Sequence, residues 1–184
     1  MPRRGDWIQT FTGRQFWPLD PRPEEIVIED IAHALSMQCR FTGHCRDFYS
    51  VGEHSYWVSK LCKPENALWG LLHDASEAYL QDMAKPIKRL PEMQGYRDVE
   101  KIAQETICLR FGLAMARPDD VSLADKQMLA IEARDLLGPL HPEFSKWLRD
   151  YVPDRPLNVV MPMTQREAER NFLVRFRELE PRII

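Results

Sequence analysis

Long apolar runs, paired cysteine motifs and an excess of basic charge are all missing from this 184-residue sequence. No stretch reaches the roughly 20 consecutive apolar residues that a membrane-spanning helix needs. The first ten residues, MPRRGDWIQT, lack the apolar centre of a signal peptide. The net charge of −3 and the pI of about 6.0 argue against binding to long duplex nucleic acid. We therefore expect a cytoplasmic protein without a membrane or duplex partner.

The four cysteines contain no C-x-x-C pair. Their spacing is typical of reduced, mostly buried thiols in a cytosolic protein. Cys39 and Cys45 lie close to His44, so a zinc site is an alternative. That spacing fits no standard set of zinc ligands, and ordinary packing is favoured for these two residues as it is for Cys62 and Cys108.

The composition and the helical periodicity predict one all-α domain over residues 1–184. Hydrophobic residues make up 44% of the chain and charged residues 29%, as in a globular protein with a substantial core. The length favours a single domain, and no internal repeat or linker is visible. Apolar residues at helical spacing predict a compact bundle of about six helices, with its core at about 28–137. A short N-terminal β-hairpin is predicted around Thr12-Gly13.

Capping residues set the predicted helix limits. Ser50 with Glu53, and Thr164 with Glu167, form the S/T-x-x-E pattern of a capping box at a helix N-terminus. Gly112 follows the apolar period of the fourth helix and is typical of a helix C-terminus. The predicted helices cover about 28–37, 51–62, 66–79, 92–111, 119–137 and 164–179, with loops at 39–49 and 81–91 and a Pro-rich stretch that reaches Pro162.

Polar side chains interrupt the apolar faces of three predicted helices. His54 interrupts the second helix, His73 the third and Asp125 the fifth. Glu132 lies further along the fifth helix. Buried carboxylates without partners are costly, so several of them together favour a cation in their midst. The pattern therefore predicts one divalent ion bound by His54, His73, Asp74 and Asp125.

Each of these residues has an ordinary structural explanation when it is taken alone. A single histidine on an apolar face, such as His54, is more often a hydrogen-bonded core residue. Asp125 alone is explained by a salt bridge or by the first turn of a helix, and the dipeptide His73-Asp74 alone is common. The joint pattern of His, His-Asp and Asp on successive inward faces is what favours a metal site.

The order H…HD…D within helices resembles the HD-domain phosphohydrolases. SVGEHS at 50–55 resembles the segment with the first metal histidine, LLHDASE at 71–77 the segment with the HD pair, and LAD at 123–125 the last ligand position. DMAKPIK at 82–88 is similar to the next region of bacterial 5'-deoxynucleotidases. FTGRQFWPLDP and EDIAHALSMQCRFTGH resemble more closely the compact deoxynucleoside triphosphohydrolases, including the phage dATP-specific kind. The resemblance covers about residues 10–137.

This resemblance implies catalysis with one divalent ion. Mixed His and Asp ligands suit zinc, cobalt, manganese or iron, with magnesium as a further option. Asp74 would be catalytic as a ligand of that ion. Glu77, four residues after His73 on the same helix face, would orient the attacking water or exchange a proton with it. The alternative for Glu77 is a surface glutamate paired with a basic residue.

Five further residues are predicted to contact the substrate. Asp82 matches the position that contacts the deoxyribose in 5'-deoxynucleotidases, although it can equally cap a loop. Arg40 and His44 are candidates for holding phosphate, since a guanidinium binds phosphate through two parallel hydrogen bonds. Lys85 and Lys88 are candidates of the same kind, and a solvated surface turn explains these two lysines equally well.

The implied reaction is hydrolysis of the 5' phosphoester of a small deoxynucleotide. Basic residues around 40–46 and 85–89 favour a triphosphate, as in a dNTP triphosphohydrolase of the dATP kind. The alternatives are a 5'-deoxynucleotidase acting on dNMPs, a non-catalytic HD module that binds a nucleotide and regulates a partner, and a structural helical domain. Small relatives often assemble, so a homo-oligomer is expected.

Overall fold

The computed structural model describes residues 2–152 and 161–180. These residues form a two-stranded antiparallel hairpin and nine α-helices, so the predicted all-α class with an N-terminal hairpin is confirmed. None of the helices in this part of the chain combines the length and the apolar character that crossing a bilayer requires. The elements are β1 (Ile8–Gln9), β2 (Gln15–Phe16), α1 (Ile28–Met37), α2 (Val51–Leu61), α3 (Ala67–Leu71), α4 (Glu77–Leu80), α5 (Lys85–Lys88), α6 (Gln94–Phe111), α7 (Asp119–Leu136), α8 (Pro142–Arg149) and α9 (Gln165–Leu179).

Local sequence signals explain where the longer helices begin and end. The side chain of Thr164 and the side chain of Glu167 form both hydrogen bonds of a capping box at the start of α9. Helix α6 ends at Gly112, whose φ of 65° is the left-handed conformation that glycine adopts without strain. The limits of α1, α2, α6, α7 and α9 accordingly lie within two residues of the predicted ones.

The capping box predicted at α2 is only half formed. Ser50 Oγ accepts a hydrogen bond from the backbone N–H of Glu53 at 3.0 Å. The Glu53 carboxylate instead accepts from the backbone N–H of Met163 at 2.8 Å and from Trp57 Nε1 at 3.4 Å. Glu53 therefore ties α2 to the segment that leads into α9.

The single helix predicted at 66–79 forms two short helices. Helix α3 ends at Leu71, and residues 72–76 form successive turns before α4 begins. The backbone N–H of Ala75 bonds to the carbonyl of Leu72, and that of Glu77 to the carbonyl of Asp74, so the winding is tighter than in an α-helix. The prediction of one continuous helix is therefore wrong at the position of the His-Asp pair.

Two further helices lie where no helix was predicted. Helix α5 lies inside the predicted loop at 81–91 with Pro86 in its first turn, and α8 lies in the Pro-rich stretch before Pro162 with Pro142 as its first residue. The loop prediction at 81–91 is wrong, and α8 is absent from the predicted helices, because a proline fits the first turn of a helix, where its missing N–H is not needed. The remainder of the Pro-rich stretch, at 153–160, lies outside the described residues.

The apolar core lies between α1, α3, α6 and α9. Leu35, Leu71, Ile107 and Phe172 are fully buried there. Burial of a side chain of this size stabilises a fold by about 1.5–3 kcal/mol. Helix α9 packs against both α1 and α2, with Phe172 and Phe176 buried on its inward face.

Two glycines let α2 approach its neighbours closely. A Cβ atom on Gly52 would lie 2.7 Å from Ser36 Oγ and 3.1 Å from Ser36 N on α1. A Cβ atom on Gly70 of α3 would lie 2.5 Å from Cys62 Sγ at the end of α2. Glycine is therefore required at both contacts, and α2 is held between α1 and α3 with His54 directed inward.

Candidate metal centre and cavity

Three side chains from α2 and from the turns after α3 meet in the interior. One potential ligand atom each of His54, His73 and Asp74 lies within 4.8 Å of the others, so this group can hold a metal ion. The two histidine Nε2 atoms are 3.3 Å apart. Asp74 Oδ2 is 3.0 Å from Nε2 of His73 and 3.7 Å from Nε2 of His54. His54 is fully buried and His73 nearly so.

Hydrogen bonds on the far side of each imidazole ring fix its orientation. His73 Nδ1 is 2.8 Å from the carbonyl oxygen of Gly70, which can only accept. His54 Nδ1 is 2.6 Å from Oε1 of Glu132. With a proton on each Nδ1, the two Nε2 atoms face each other beside a carboxylate. Their lone pairs repel unless a cation lies at Nε2, and that cation is a proton in the metal-free protein or a divalent ion when one binds, so this donor set fits a divalent metal ion.

Asp125 on α7 brings a fourth donor to the same place. Its Oδ1 is 3.3 Å from His54 Nε2 and 3.9 Å from His73 Nε2. Its Oδ2 is 3.2 Å from a guanidinium nitrogen of Arg117 and 3.8 Å from Lys85 Nζ. One oxygen of this carboxylate therefore faces the histidines, while the other faces two cations.

Both aspartates are ionised despite their burial. Burial raises the pKa of Asp74, but the charge and the hydrogen bond of His73 outweigh it, and the pKa lies below its usual range. Burial likewise raises the pKa of Asp125, and the hydrogen bond from His54 together with the charge of His73 lowers it further than burial raises it. Two negative charges are therefore present beside the histidines near neutral pH.

A buried ion pair lies behind the histidines. A guanidinium nitrogen of Arg40 lies 3.1 Å from Glu132 Oε2, and another lies 3.9 Å from Asp74 Oδ2, so Arg40 forms ion pairs with both carboxylates. Burial opposes both charges, but Glu132 keeps the pKa of Arg40 above its usual value, and Arg40 keeps the pKa of Glu132 below its usual value. Glu132 thus links Arg40 to His54. No role is predicted for Glu132 from the sequence, although it lies seven residues after Asp125 on the same face of the helix.

A cavity of about 730 Å³ opens beside this cluster, with His73, Asp74 and Asp125 in its wall. One part of the lining is aromatic or aliphatic, and another part is cationic. A ligand with an apolar ring and an anionic group suits such a lining. The apolar residues include Phe41, Trp69, Met83, Leu129 and Phe144, and the cations include Arg40, Lys85, Lys88 and Arg117.

The structure places all the predicted substrate residues in the wall of this cavity, namely Arg40, His44, Asp82, Lys85 and Lys88. Their surroundings differ. Lys88 Nζ is 2.5 Å from Oε1 of Glu100 and 3.7 Å from Oε1 of Glu77, so carboxylates already neutralise it. The Lys85 side chain is 64% exposed and His44 is exposed as well, which leaves both accessible to a ligand.

Glu77 is buried in the same wall at the start of α4. Burial raises its pKa well above the usual range, and the charges of Asp74 and Asp82 raise it further. Within the described part of the chain, Glu77 Oε2 has no hydrogen-bond partner. Glu77 is therefore a buried carboxyl group with a raised pKa and a free oxygen, which suits a group that exchanges protons.

Gln38 positions the segment that carries Glu77 and Asp82. Its Nε2 donates to the carbonyl oxygen of Glu77 at 2.9 Å, and its Oε1 accepts from the backbone N–H of Asp82 at 3.0 Å. Gln81, between them, has a φ of 75°, which is uncommon for a residue with a side chain. One amide at the end of α1 therefore holds both sides of this strained turn.

Arg117 is a further cation of the site, and it is absent from the residues predicted from the sequence. It precedes α7, and its guanidinium lies 5.9 Å from the centroid of the Trp69 ring and 3.2 Å from Asp125 Oδ2. No motif marks it, because its role depends on the packing of the start of α7 against α3. The sequence indicates only that Arg117 lies about two helical turns before Asp125, a predicted metal ligand.

These features define an all-α protein with a buried His/Asp cluster at the wall of a cavity. The uncharacterized protein YfdR of Escherichia coli strain K12 is 37% identical over 174 residues, which cover 94% of this chain and 95% of YfdR. The uncharacterized protein RCAP_rcc00048 of Rhodobacter capsulatus is 37% identical over 137 residues, which cover 70% of this chain and 69% of that protein. The chain belongs to the same family as these two proteins. No family model matches it.

Proposed function

We propose that this protein is an HD-domain metal-dependent phosphohydrolase that cleaves the 5' phosphoester of deoxynucleotides, with triphosphates favoured. The observation that carries the proposal is the meeting of two histidine Nε2 atoms and two carboxylates beside one cavity. The resemblance of SVGEHS and LLHDASE to the ligand segments of HD-domain enzymes supports it. The ligands would be His54, His73, Asp74 and Asp125.

The donors suit the metals that the resemblance implies. Imidazole and carboxylate ligands favour zinc, cobalt, manganese or iron, with magnesium as a weaker option. When bound, such an ion supplies Lewis-acid polarisation of a phosphoryl oxygen and activation of water near neutral pH. The cavity lies on one side of the donors, while Glu132 and Gly70 hold the rings from behind.

Residues of the chain would hold the substrate and move the proton. Arg40 keeps its charge beside Asp74, so it can bind the non-bridging oxygens of the first phosphate. Asp82 would contact the deoxyribose. Glu77 has a free carboxyl oxygen and would exchange a proton with the attacking water or with the departing 5' oxygen of the sugar. Gln38 fixes the backbone of Glu77 and Asp82 together, so the proton donor lies next to the sugar contact.

The cations near Asp125 favour a triphosphate over a monophosphate. Lys85 and Arg117 both approach the same carboxylate oxygen, Oδ2 of Asp125. Two positive charges therefore compete for one acceptor, and both can turn to further phosphate oxygens. The cavity of about 730 Å³ is in the size range of sites that enclose whole small ligands.

A nucleotide panel tests the proposal. Purified protein with added Mn, Co or Zn should convert dNTPs to nucleoside and triphosphate, detected by chromatography. Asp74→Ala should abolish turnover, whereas Asp119→Ala, which removes an exposed carboxylate at the start of α7, should retain it. Turnover of dNMPs alone would indicate a 5'-deoxynucleotidase, and nucleotide binding without turnover a regulatory module. Absence of both binding and turnover would overturn the proposal.

Arg117→Gln tests the preference for triphosphate. Loss of one charged hydrogen bond to phosphate, about 1.5–3 kcal/mol, should lower kcat/KM for dNTPs by roughly 10- to 100-fold and leave dNMPs unchanged. Lys101→Gln is the matched control, because Lys101 lines the cavity but pairs with Glu105. An equal loss for both substrates, with weaker metal binding, would show that Arg117 acts only by positioning Asp125.

A further inference from the structure

Two thiols are in contact at the ends of the segment that carries Arg40 and His44. The Sγ atoms of Cys39 and Cys45 are 3.5 Å apart, and both side chains are partly exposed. The other cysteines, Cys62 and Cys108, are buried. The first two thiols are therefore placed to react with each other and with a small reagent.

Backbone pairing holds both cysteines in place. Cys39 forms an isolated antiparallel bridge with Ser50, and Cys45 forms another with Leu137. The backbone N–H of Arg40 donates to the carbonyl of Tyr49 at 2.9 Å, beside the first bridge. These contacts keep the two sulfur atoms close together. From their separation of 3.5 Å, a shift of roughly 1.5 Å brings them to the S–S distance of a disulfide, which is about 2.05 Å.

The segment between the two cysteines has an unusual backbone. Phe41, Thr42 and Gly43 have φ values of 56°, 52° and 78°. Left-handed conformations are costly for residues with side chains, and they persist where neighbouring contacts enforce them. A covalent bond between its ends would restrict this segment further. Four of its residues, Arg40, Phe41, Thr42 and His44, line the cavity.

We propose that Cys39 and Cys45 form a redox-active dithiol that a low-molecular-weight disulfide, such as oxidised glutathione, converts to an intramolecular disulfide. One protein thiolate attacks a sulfur of glutathione disulfide and releases one glutathione thiolate. The second protein thiolate then attacks the protein sulfur of the mixed disulfide and releases the other glutathione. The two protein thiols lose two electrons and two protons, and glutathione disulfide gains them.

The disulfide would couple the thiol redox state to the cavity. It would fix the ends of the segment that presents Arg40, so the position of this guanidinium beside Asp74 and Glu132 would depend on oxidation. Formation of the disulfide does not rest on the proposed function. Its effect on nucleotide turnover does, and the two are measured separately.

Titration with glutathione tests the dithiol directly. The full chain is equilibrated with mixtures of oxidised and reduced glutathione, quenched with acid, alkylated and analysed by intact mass and peptide mapping. The oxidised protein should carry two alkyl groups fewer than the reduced protein and yield a Cys39–Cys45 linked peptide. A Cys62→Ser/Cys108→Ser double variant should behave in the same way, and Cys45→Ser should stop at a glutathione adduct on Cys39. A wild-type protein that stops at the mixed adduct, stays reduced or links other cysteines would overturn the proposal.

Amide hydrogen exchange tests the link to the cavity without any need for activity. Exchange at residues 40–44 should slow on oxidation in the wild type and stay unchanged in Cys45→Ser. If the proposed function holds, oxidation should also change kcat/KM in the wild type alone. A disulfide that forms without slower exchange at 40–44 would overturn the coupling to the cavity.

Discussion

The apolar core and the polar interior around His54 are both buried, but different forces hold them. In the core, Leu35 and Phe172 pack α1 against α9 through apolar contacts, which require side chains of matching shape and volume but no specific chemical partner. In the polar interior, Arg40 and Glu132 each need an opposite charge. A substitution in the core costs in proportion to the volume lost, whereas removal of one charge partner leaves the other buried and unpaired. The polar interior is therefore the more sensitive of the two to single changes.

Glu132→Ala should produce the largest loss of stability. It leaves Arg40 buried without its nearest carboxylate and His54 Nδ1 without its acceptor. Removal of one member of a buried ion pair costs about 3–5 kcal/mol, measured here by urea unfolding of the metal-free protein. Ile131→Val, at the adjacent core position, is the control and should cost about 0.5–1.5 kcal/mol. Equal costs for the two variants would erase the distinction between the two interiors.

Glu132→Gln separates the orienting role of this residue from its charge. The amide keeps the volume and a hydrogen-bond acceptor for His54 Nδ1, but it loses the charge that faces Arg40. A neutral acceptor makes the ligand histidine less basic, so metal affinity should fall by up to the 10- to 100-fold that is typical when such a partner is changed, and chelator competition measures it. Glu143→Gln, at an exposed position on α8, should leave the affinity unchanged. Unaltered metal binding in Glu132→Gln would mean that His54 does not need this carboxylate.

Gly52→Ala tests the close packing on the apolar side. Its Cβ atom would meet the side chain and the backbone of Ser36, so α1 and α2 must separate. Overpacking of this kind costs about 1–3 kcal/mol in urea unfolding. Gly95→Ala in α6, where a Cβ atom meets nothing within 4 Å, should be neutral or stabilise the fold by up to about 1 kcal/mol. Equal free energies of unfolding for the two variants would contradict the close contact between Gly52 and Ser36.

The smallest predicted effect is a pH-dependent loss of stability from Cys62, a titratable thiol buried among apolar side chains. Burial raises its pKa from 9.0 to about 12. The unfolded thiol ionises above pH 9 and the folded one does not, so its contribution to stability is complete below pH 9 and is lost as the pH rises toward 12. By pH 10 the loss should be about 1 kcal/mol. The decline between pH 8 and pH 10 should be smaller in Cys62→Ser, and identical declines would contradict the assignment.

Local signals in the sequence predict the helix ends well and the tertiary partners poorly. The limits of α2 and α9 follow from Ser50 and Thr164 because capping involves only the next few residues. The turns at 72–76 could not be predicted, because apolar residues at helical spacing occur in an α-helix and in tighter turns alike. Helices α5 and α8 could not be predicted from their prolines, because proline occurs in the first turn of a helix as well as in loops.

The site residues divide in the same way, into those marked by a local sequence pattern and those that depend on tertiary packing. His54 and His73 are visible because each interrupts the apolar stripe of its own segment, and Asp74 is visible because it follows His73 directly. The structure brings the three together. The contacts of Glu132 and Arg117 depend on how α7 lies against α2 and α3. No local pattern encodes that packing.

The packing of α9 against α1 has a consequence for synthesis on the ribosome. The first and the last helices described here are neighbours, and the segment that enters α9 also bonds to Glu53, next to His54. A nascent chain emerges from its N-terminus, so the apolar surfaces that α1 and α2 turn toward α9 stay uncovered until α9 has left the ribosome. Contacts between residues so far apart in the chain form late, and chains with exposed apolar faces aggregate readily. The core between α1, α2 and α9 should therefore close only once α9 is outside the ribosome.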